Sequence, residues 1–168
     1  MQMDYQGISI RTELKSGDIG YIIYLHGWLY KKEYDYGISF EAYVAKGLSE
    51  FFSHYDNEKD CVWVCEHDKS IVGFLLLMHR ENNAAQLRYF ILLPAYRKIG
   101  LGKKLMELFM EWLRDHHYQS AYLWTTNEQT AAAALYQKFM FKLKEELDSA
   151  SFGKPLKEQR YELILEDN

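Results

Sequence analysis

Apolar positions along this chain follow two spacings, every second residue and every third or fourth, and the exchange between them marks out strands and helices. Residues 8–14 alternate Ile8, Ile10, Thr12 and Leu14 against Ser9, Arg11 and Glu13, which predicts a half-buried strand. Ser16-Gly17-Asp18 then offers turn and cap chemistry ahead of an aromatic-rich stretch (Tyr21, Tyr24, Trp28, Tyr30, Tyr34, Tyr36) read as a first helix. Ser39 is the candidate cap of a second helix, in which Phe40, Val44, Leu48, Phe51 and Phe52 recur at helical spacing.

Residues 61–66 and 71–79 are apolar, β-branched or aromatic runs joined by His67-Asp68-Lys69-Ser70, an antiparallel hairpin in its simplest reading. Asn82-Asn83 marks another turn, and 85–93 continues the meander until Pro94 removes a ladder donor. The period then changes. Leu101, Leu105, Leu108, Phe109, Trp112 and Leu113 form the apolar stripe of a helix that runs to about residue 117. With a short strand at 121–125, this makes a β-α-β unit whose strands should run parallel. Residues 129–138 are again helical, and late strands at 141–147 and 159–165 flank the loop 149–155. The pattern predicts an α/β (α+β) fold, a mixed sheet flanked by helices, in a single domain over 1–168.

Composition narrows the class. A chain of 168 residues with 48% apolar and 26% charged residues and only two prolines has the balance of one packed domain. The longest apolar run, 71–78, is broken by Gly73 and is too short for a membrane helix, and no basic segment followed by an apolar stretch opens the chain. The expected setting is the cytoplasm, without a membrane partner. A net charge of −4 argues against direct nucleic-acid binding. Cys61 and Cys65 share one strand face about 13 Å apart, which is beyond disulfide reach and reads as a pair of core thiols. The six histidines show no zinc-ligand spacing, so no metal is expected.

The candidate chemistry lies where a strand gives way to a helix, at Arg97-Lys98-Ile99-Gly100-Leu101-Gly102-Lys103. The opening N–H groups of a helix lack internal acceptors and sit at the positive end of its dipole, so such a junction binds phosphate through the backbone. Glycines at 100 and 102 would let the ligand approach, and Arg97, Lys98 and Lys103 add charge. A dinucleotide fingerprint fails at Leu105, and a P-loop fails at Arg97 and Lys104. The plainer alternative, that the two glycines only shape a tight turn, stays open on spacing alone.

The stretch from Leu87 through this turn to Leu105 closely resembles the central motif of the GNAT acetyltransferases, a strand followed by Arg/Gln-x-x-Gly-x-Gly/Ala. Leu123-Trp124-Thr125 and Ala134-Leu135-Tyr136-Gln137-Lys138-Phe139-Met140-Phe141 look like the family's later strand and its tyrosine helix. Gly17-Asp18-Ile19-Gly20, Ser151-Phe152-Gly153 and Gln159-Arg160-Tyr161-Glu162-Leu163 resemble the acetyltransferase half of bacterial proteins that fuse a MarR-type DNA-binding domain to a GNAT domain. The resemblance implies a mostly antiparallel sheet of about seven strands with about four helices, splayed between the strands ending near Leu92 and Thr125. It also implies acetyl-CoA as cofactor. Phe90, Ile91 and Leu92 would meet the pantetheine arm and polarise the acetyl carbonyl, as an oxyanion hole does. Arg97, Lys98, Ile99, Gly100, Leu101, Gly102 and Lys103 would hold the pyrophosphate, with Gln129 or Asn127 as a further contact. Tyr136 aligns with the tyrosine proposed to protonate the departing thiolate, a suitable role for a neutral phenol. Its alternative role is to cover the sheet.

Three departures qualify the implied site. Met140 stands where the family has glycine, and Gln86 and Trp124 stand where some relatives carry a general-base glutamate. His26, Tyr30, Glu33 and Tyr34, in the early helices that wall the acceptor site in this family, are the candidate substrate-binding residues, with Glu41 nearby; the base stays unassigned. The aromatic density over 21–43 reads equally as pocket or core, and the loop 151–155 is expected on the acceptor side. Neither cysteine falls in these motifs, so direct transfer to a small-molecule or peptide amine in a ternary complex is the expected mechanism. The rival readings are a non-catalytic acyl-CoA-binding sensor and a regulatory domain for a DNA-binding partner; a homodimer is compatible with either.

Overall fold

The computed structural model describes residues 2–165. Its elements run β1 (Gln2–Tyr5), β2 (Ile8–Arg11), α1 (Asp18–Tyr34), α2 (Ile38–Ser53), β3 (Cys61–His67), β4 (Ser70–Arg80), β5 (Ala84–Leu92), α3 (Leu101–Asp115), β6 (Ser120–Thr126), α4 (Thr130–Lys138), β7 (Lys142–Ser149) and β8 (Leu156–Ile164). The strands form one sheet in the order β1-β2-β3-β4-β5-β6-β8-β7. Every neighbouring pair is antiparallel except β5 and β6, which run parallel across the α3 crossover as the β-α-β reading requires.

Two apolar layers clamp the sheet. Leu101, Leu105, Leu108, Phe109 and Leu113 of α3 pack on one face with Trp63, Leu75 and Leu77. Ile22, Leu25 and Leu29 of α1 and Val44, Leu48 and Phe51 of α2 pack on the other with Val62, Phe74 and Leu76. Cys61 and Cys65 are free and buried on the α3 side. None of the described helices is long and apolar enough to cross a membrane.

The structure corrects four expectations. The sheet has eight strands, because Gln2–Tyr5 pairs with Ile8–Arg11 through a turn at Gln6 and Gly7, both at positive φ. The first alternating strand stops at Arg11, and Arg11 is buried rather than solvent-facing, its guanidinium forked onto Asp18 at 2.8 and 2.9 Å and reaching Glu66 at 3.1 Å. The second helix starts after Gly37, whose N–H donates to the Phe152 carbonyl at 2.8 Å, so Ser39 lies within the first turn. Phe52 is exposed, since Phe51 already fills the stripe position against the sheet.

Candidate active site

Two irregularities open the sheet at its centre. The β5–β6 ladder ends at Gln86↔Tyr122, so from Leu87 onward β5 has no parallel neighbour. This is the expected splay. On the other side of β5, Leu76 pairs with Arg88 and Phe74 with Ile91, leaving Tyr89 and Phe90 opposite Leu75 alone. That is a β-bulge, with Tyr89 at φ +54°. Bulges bend and re-aim a strand, and here β5 leads towards the turn at 97–103.

In that turn Lys98 and Gly100 both take left-handed backbone, φ +62° and +87°, the alternation that points successive N–H groups into one concavity. Gly100 is the N-cap of α3, whose first turn carries no acidic side chain. The first amide to find a helical acceptor is that of Lys104, which donates to the Gly100 carbonyl at 3.0 Å. A Cβ on Gly102 would meet Leu135 and Leu92 at 3.4 Å in the groove floor. A Cβ on Gly100 would strike the hydroxyl of Tyr5, itself hydrogen-bonded to the Ile99 carbonyl at 3.2 Å. The glycines therefore shape the turn and also keep its mouth open.

The groove from this turn is lined by Phe90, Ile91 and Leu92 on one side and Ala131, Ala132 and Leu135 of α4 on the other. Gly100, Gly102, Lys98 and Lys103 line its end at the turn, with Lys103 also 3.6 Å from Glu107. Leu101 is buried and Ile99 partly exposed, so only their backbone faces this role. Arg97 differs from the expectation. Its amide donates to the Pro94 carbonyl at 3.3 Å, its Nε donates to the Leu92 carbonyl at 3.0 Å, and its terminal nitrogens grip Glu33 at 2.7 and 3.1 Å. The amides free to converge thus begin at Lys98, and Arg97 ties α1 across the groove.

A second pocket opens beyond Phe90 and Tyr30, which line both. Tyr136 projects into it from α4, and burial pushes its phenol well above the ordinary tyrosine range, keeping it protonated. The tyrosine is held by the end of its helix. The Met140 N–H donates to Gln137 and the Phe141 N–H to Tyr136, with Met140 at φ +69° and the rings of Tyr136 and Phe141 6.3 Å apart. This is a Schellman closure with its apolar contact, made without the usual glycine.

The candidate acceptor residues divide between the two cavities. His26 and Tyr30 line the second pocket, whereas Glu33 and Tyr34 line the groove beside Arg97. His26 Nδ1 donates to the Ile22 carbonyl at 2.8 Å, and burial pulls the ring down to about 4, so it stays neutral and cannot serve as a base near neutrality. Gln129 lines the pocket, its amide set between Tyr30 and Thr126, each at 3.4 Å. Asn127 lines neither cavity, because it exchanges hydrogen bonds with the backbone of Lys157 at 2.9 and 3.0 Å. Gln86 is occupied by Arg80, at 2.9 and 2.6 Å. Phe152 reaches this pocket from the 151–155 loop. Sequence reasoning missed Arg88 and Glu158, which also line it; finding them needed the bulge and the β6–β8 register, which sets Glu158 opposite Thr126.

Residues 23–141 match the model of the acetyltransferase (GNAT) family. The chain belongs to that family. Among curated relatives, the uncharacterized N-acetyltransferase YjgM of Escherichia coli is 33% identical over 97 residues, covering 56% of this chain and 58% of that one. The chain spans about half the length of the curated relatives it matches. A GNAT-family acetyltransferase of Staphylococcus aureus superposes with a TM-score of 0.77 at 22% identity, covering 95% of this chain and 99% of that one. YncA of Salmonella typhimurium, solved with acetyl-CoA, superposes at 0.72 with 17% identity, covering 97% and 96%. These are likenesses of fold, and they extend the GNAT architecture beyond the segment matched by the family model to nearly the whole chain.

Proposed function

We propose that this GNAT domain carries an acetyl group from acetyl-CoA to a primary amine by direct attack within a ternary complex. The observation that carries the reading is the run of unpaired backbone, which begins with the amides from Lys98 onward and continues along the splayed edge of β5, opposite Tyr136 of α4. Acetyl-CoA supplies an activated thioester. The amides of Lys98, Ile99, Gly100, Leu101 and Gly102 would hold its pyrophosphate, and the splayed edge at Phe90 and Ile91 would align the pantetheine arm. Tyr136 holds a proton at Oη where the thiolate departs, and its raised pKa keeps that proton available across the working pH range. The buried thiols of Cys61 and Cys65, pushed up to about 12 by desolvation, suit neither a covalent route nor surface oxidation. They fit a cytoplasmic setting. The likeness to MarR-fused acetyltransferases supports a second reading, a regulatory domain acting on a DNA-binding partner, which pull-down with a transcription regulator tests.

The test joins calorimetric titration with acetyl-CoA to release of CoA thiol in the presence of amines. Tyr136→Phe should lower kcat by roughly a hundredfold or more, the usual reach of general-acid catalysis, while acetyl-CoA affinity changes little. Gly102→Val should instead weaken acetyl-CoA binding. Failure of the native protein to bind acetyl-CoA would reject the function, and an unaltered kcat in Tyr136→Phe would reject the role of Tyr136.

A further inference from the structure

The acceptor pocket is lined by two charged side chains among the described residues, Arg88 from β5 and Glu158 from β8. Neither is neutralised by the protein. The guanidinium of Arg88 lies over the rings of Tyr89 and Tyr43, at 4.6 and 5.5 Å, and donates to the Tyr43 hydroxyl at 2.9 Å, with no carboxylate in ion-pair range among the described residues. The side chain of Glu158 makes no hydrogen bond or ion pair with the described residues, although those of its neighbours on β8 do: Lys157 pairs with Glu146 at 2.9 Å and Arg160 with Glu162 at 3.0 Å. The two do not reach each other, because β6 lies between their strands and the splay widens the gap.

Opposite charges held apart and unpaired along one pocket wall are complementary to a ligand that bears both a carboxylate and an ammonium. Much of the rest of the wall is aromatic, with Phe40, Tyr43, Tyr89, Trp124 and Phe152 among its rings. On this evidence we propose that the acceptor is a free α-amino acid with an apolar or aromatic side chain. Its carboxylate docks on Arg88, whose planar fork suits that group, and its ammonium faces Glu158 before transfer. The side chain packs among the rings. A peptide N-terminus or a simple alkylamine lacks the carboxylate that Arg88 awaits.

The inference rests on acetyl-CoA use, and the experiment separates the two. Native protein loaded with acetyl-CoA is assayed for CoA release with L-phenylalanine, L-phenylalaninamide and phenethylamine, and binding of each to the CoA-loaded protein is measured by calorimetry. The expected result is a kcat/KM for phenylalanine at least about tenfold above either uncharged-end analogue, the scale of one lost hydrogen bond to a charged group. In Arg88→Gln the ratio of phenylalanine to phenethylamine kcat/KM should fall about tenfold, whereas Glu158→Gln should raise KM for all three. Equal or better use of phenethylamine, an unchanged ratio in Arg88→Gln, or no binding of phenylalanine to the CoA-loaded protein would overturn the inference while leaving acetyl transfer intact. Absence of acetyl-CoA binding would bring down both.

Discussion

Burying His26 neutral makes the domain acid-sensitive by a calculable amount. The ring is 2% exposed, lies 5.6 Å from the Tyr30 ring and 6.5 Å from that of Phe40, and donates from Nδ1 to a carbonyl, which leaves the basic lone pair on a buried, unpartnered Nε2. Desolvation of the imidazolium lowers its pKa to about 4, against roughly 6.5 in the unfolded chain. Between these values the unfolded chain binds the proton and the folded one does not. The contribution is therefore complete above pH 6.5 and declines as the pH falls toward 4. At pH 5.0 the unfolded state gains about 2 kcal/mol relative to pH 7.5 from this one group. His26→Phe keeps a flat ring in the stack and removes the titration. Urea unfolding followed by tryptophan fluorescence, at pH 5.0 and 7.5 for both proteins, gives a double difference in which the remaining titrations cancel. The variant should lose about 2 kcal/mol less on acidification than the native protein. Equal losses would show that His26 is not held neutral and would refute the reasoning.

Three further outcomes follow from named contacts. Met140→Gly should stabilise the domain by about 0.5–1 kcal/mol, seen as a higher Tm, because an exposed side chain now occupies left-handed backbone that glycine takes without steric cost. Asp18→Ala should destabilise by about 3 kcal/mol or more in urea unfolding, because it strips the buried Arg11 of its two-point partner and leaves Glu66 as the one acid paired with it among the described residues. Cys61 and Cys65 should react with an aromatic disulfide reagent only as fast as the protein unfolds; rapid labelling of the folded state would contradict their burial.

The elements that were legible in the sequence have long periodic patterns with chemical punctuation at their ends. The meander of β3, β4 and β5, the stripe of α3 and the glycine turn between them needed only spacing and Pro94 to be read. What escaped reading depends on long-range partners. β1 has four residues, too few to establish a period, and exists by pairing with β2. Arg11 looked solvent-facing because alternation cannot foresee a buried acid seven residues on and another on β3. Glu158 was one acid among many on a late strand until the register set it opposite Thr126. Asn127 and Gln129 stood level on alignment, and a backbone bond to Lys157 separated them.

One added residue in β5 links the cofactor side to the acceptor side. In a regular strand neighbours point to opposite faces, so Arg88 and Tyr89 could not both look toward α1 and α2. The bulge suspends that rule for one step. Before it, Ala85 and Leu87 face the α3 layer; after it, Phe90 and Leu92 pack on that same layer while Tyr89 and Ile91 pack toward α1 and α2. Arg88 and Tyr89 thereby share the acceptor face, where the guanidinium covers the ring at 4.6 Å, and Phe90 stays 6.3 Å from the ring of Tyr136. Without the extra residue, Phe90 would turn from the α3 layer toward α1 and α2, and Tyr89 would turn into the apolar α3 layer. The left-handed backbone of Tyr89 thus lets one strand present an aromatic-backed cation to the second pocket and an apolar edge to the groove within a few positions.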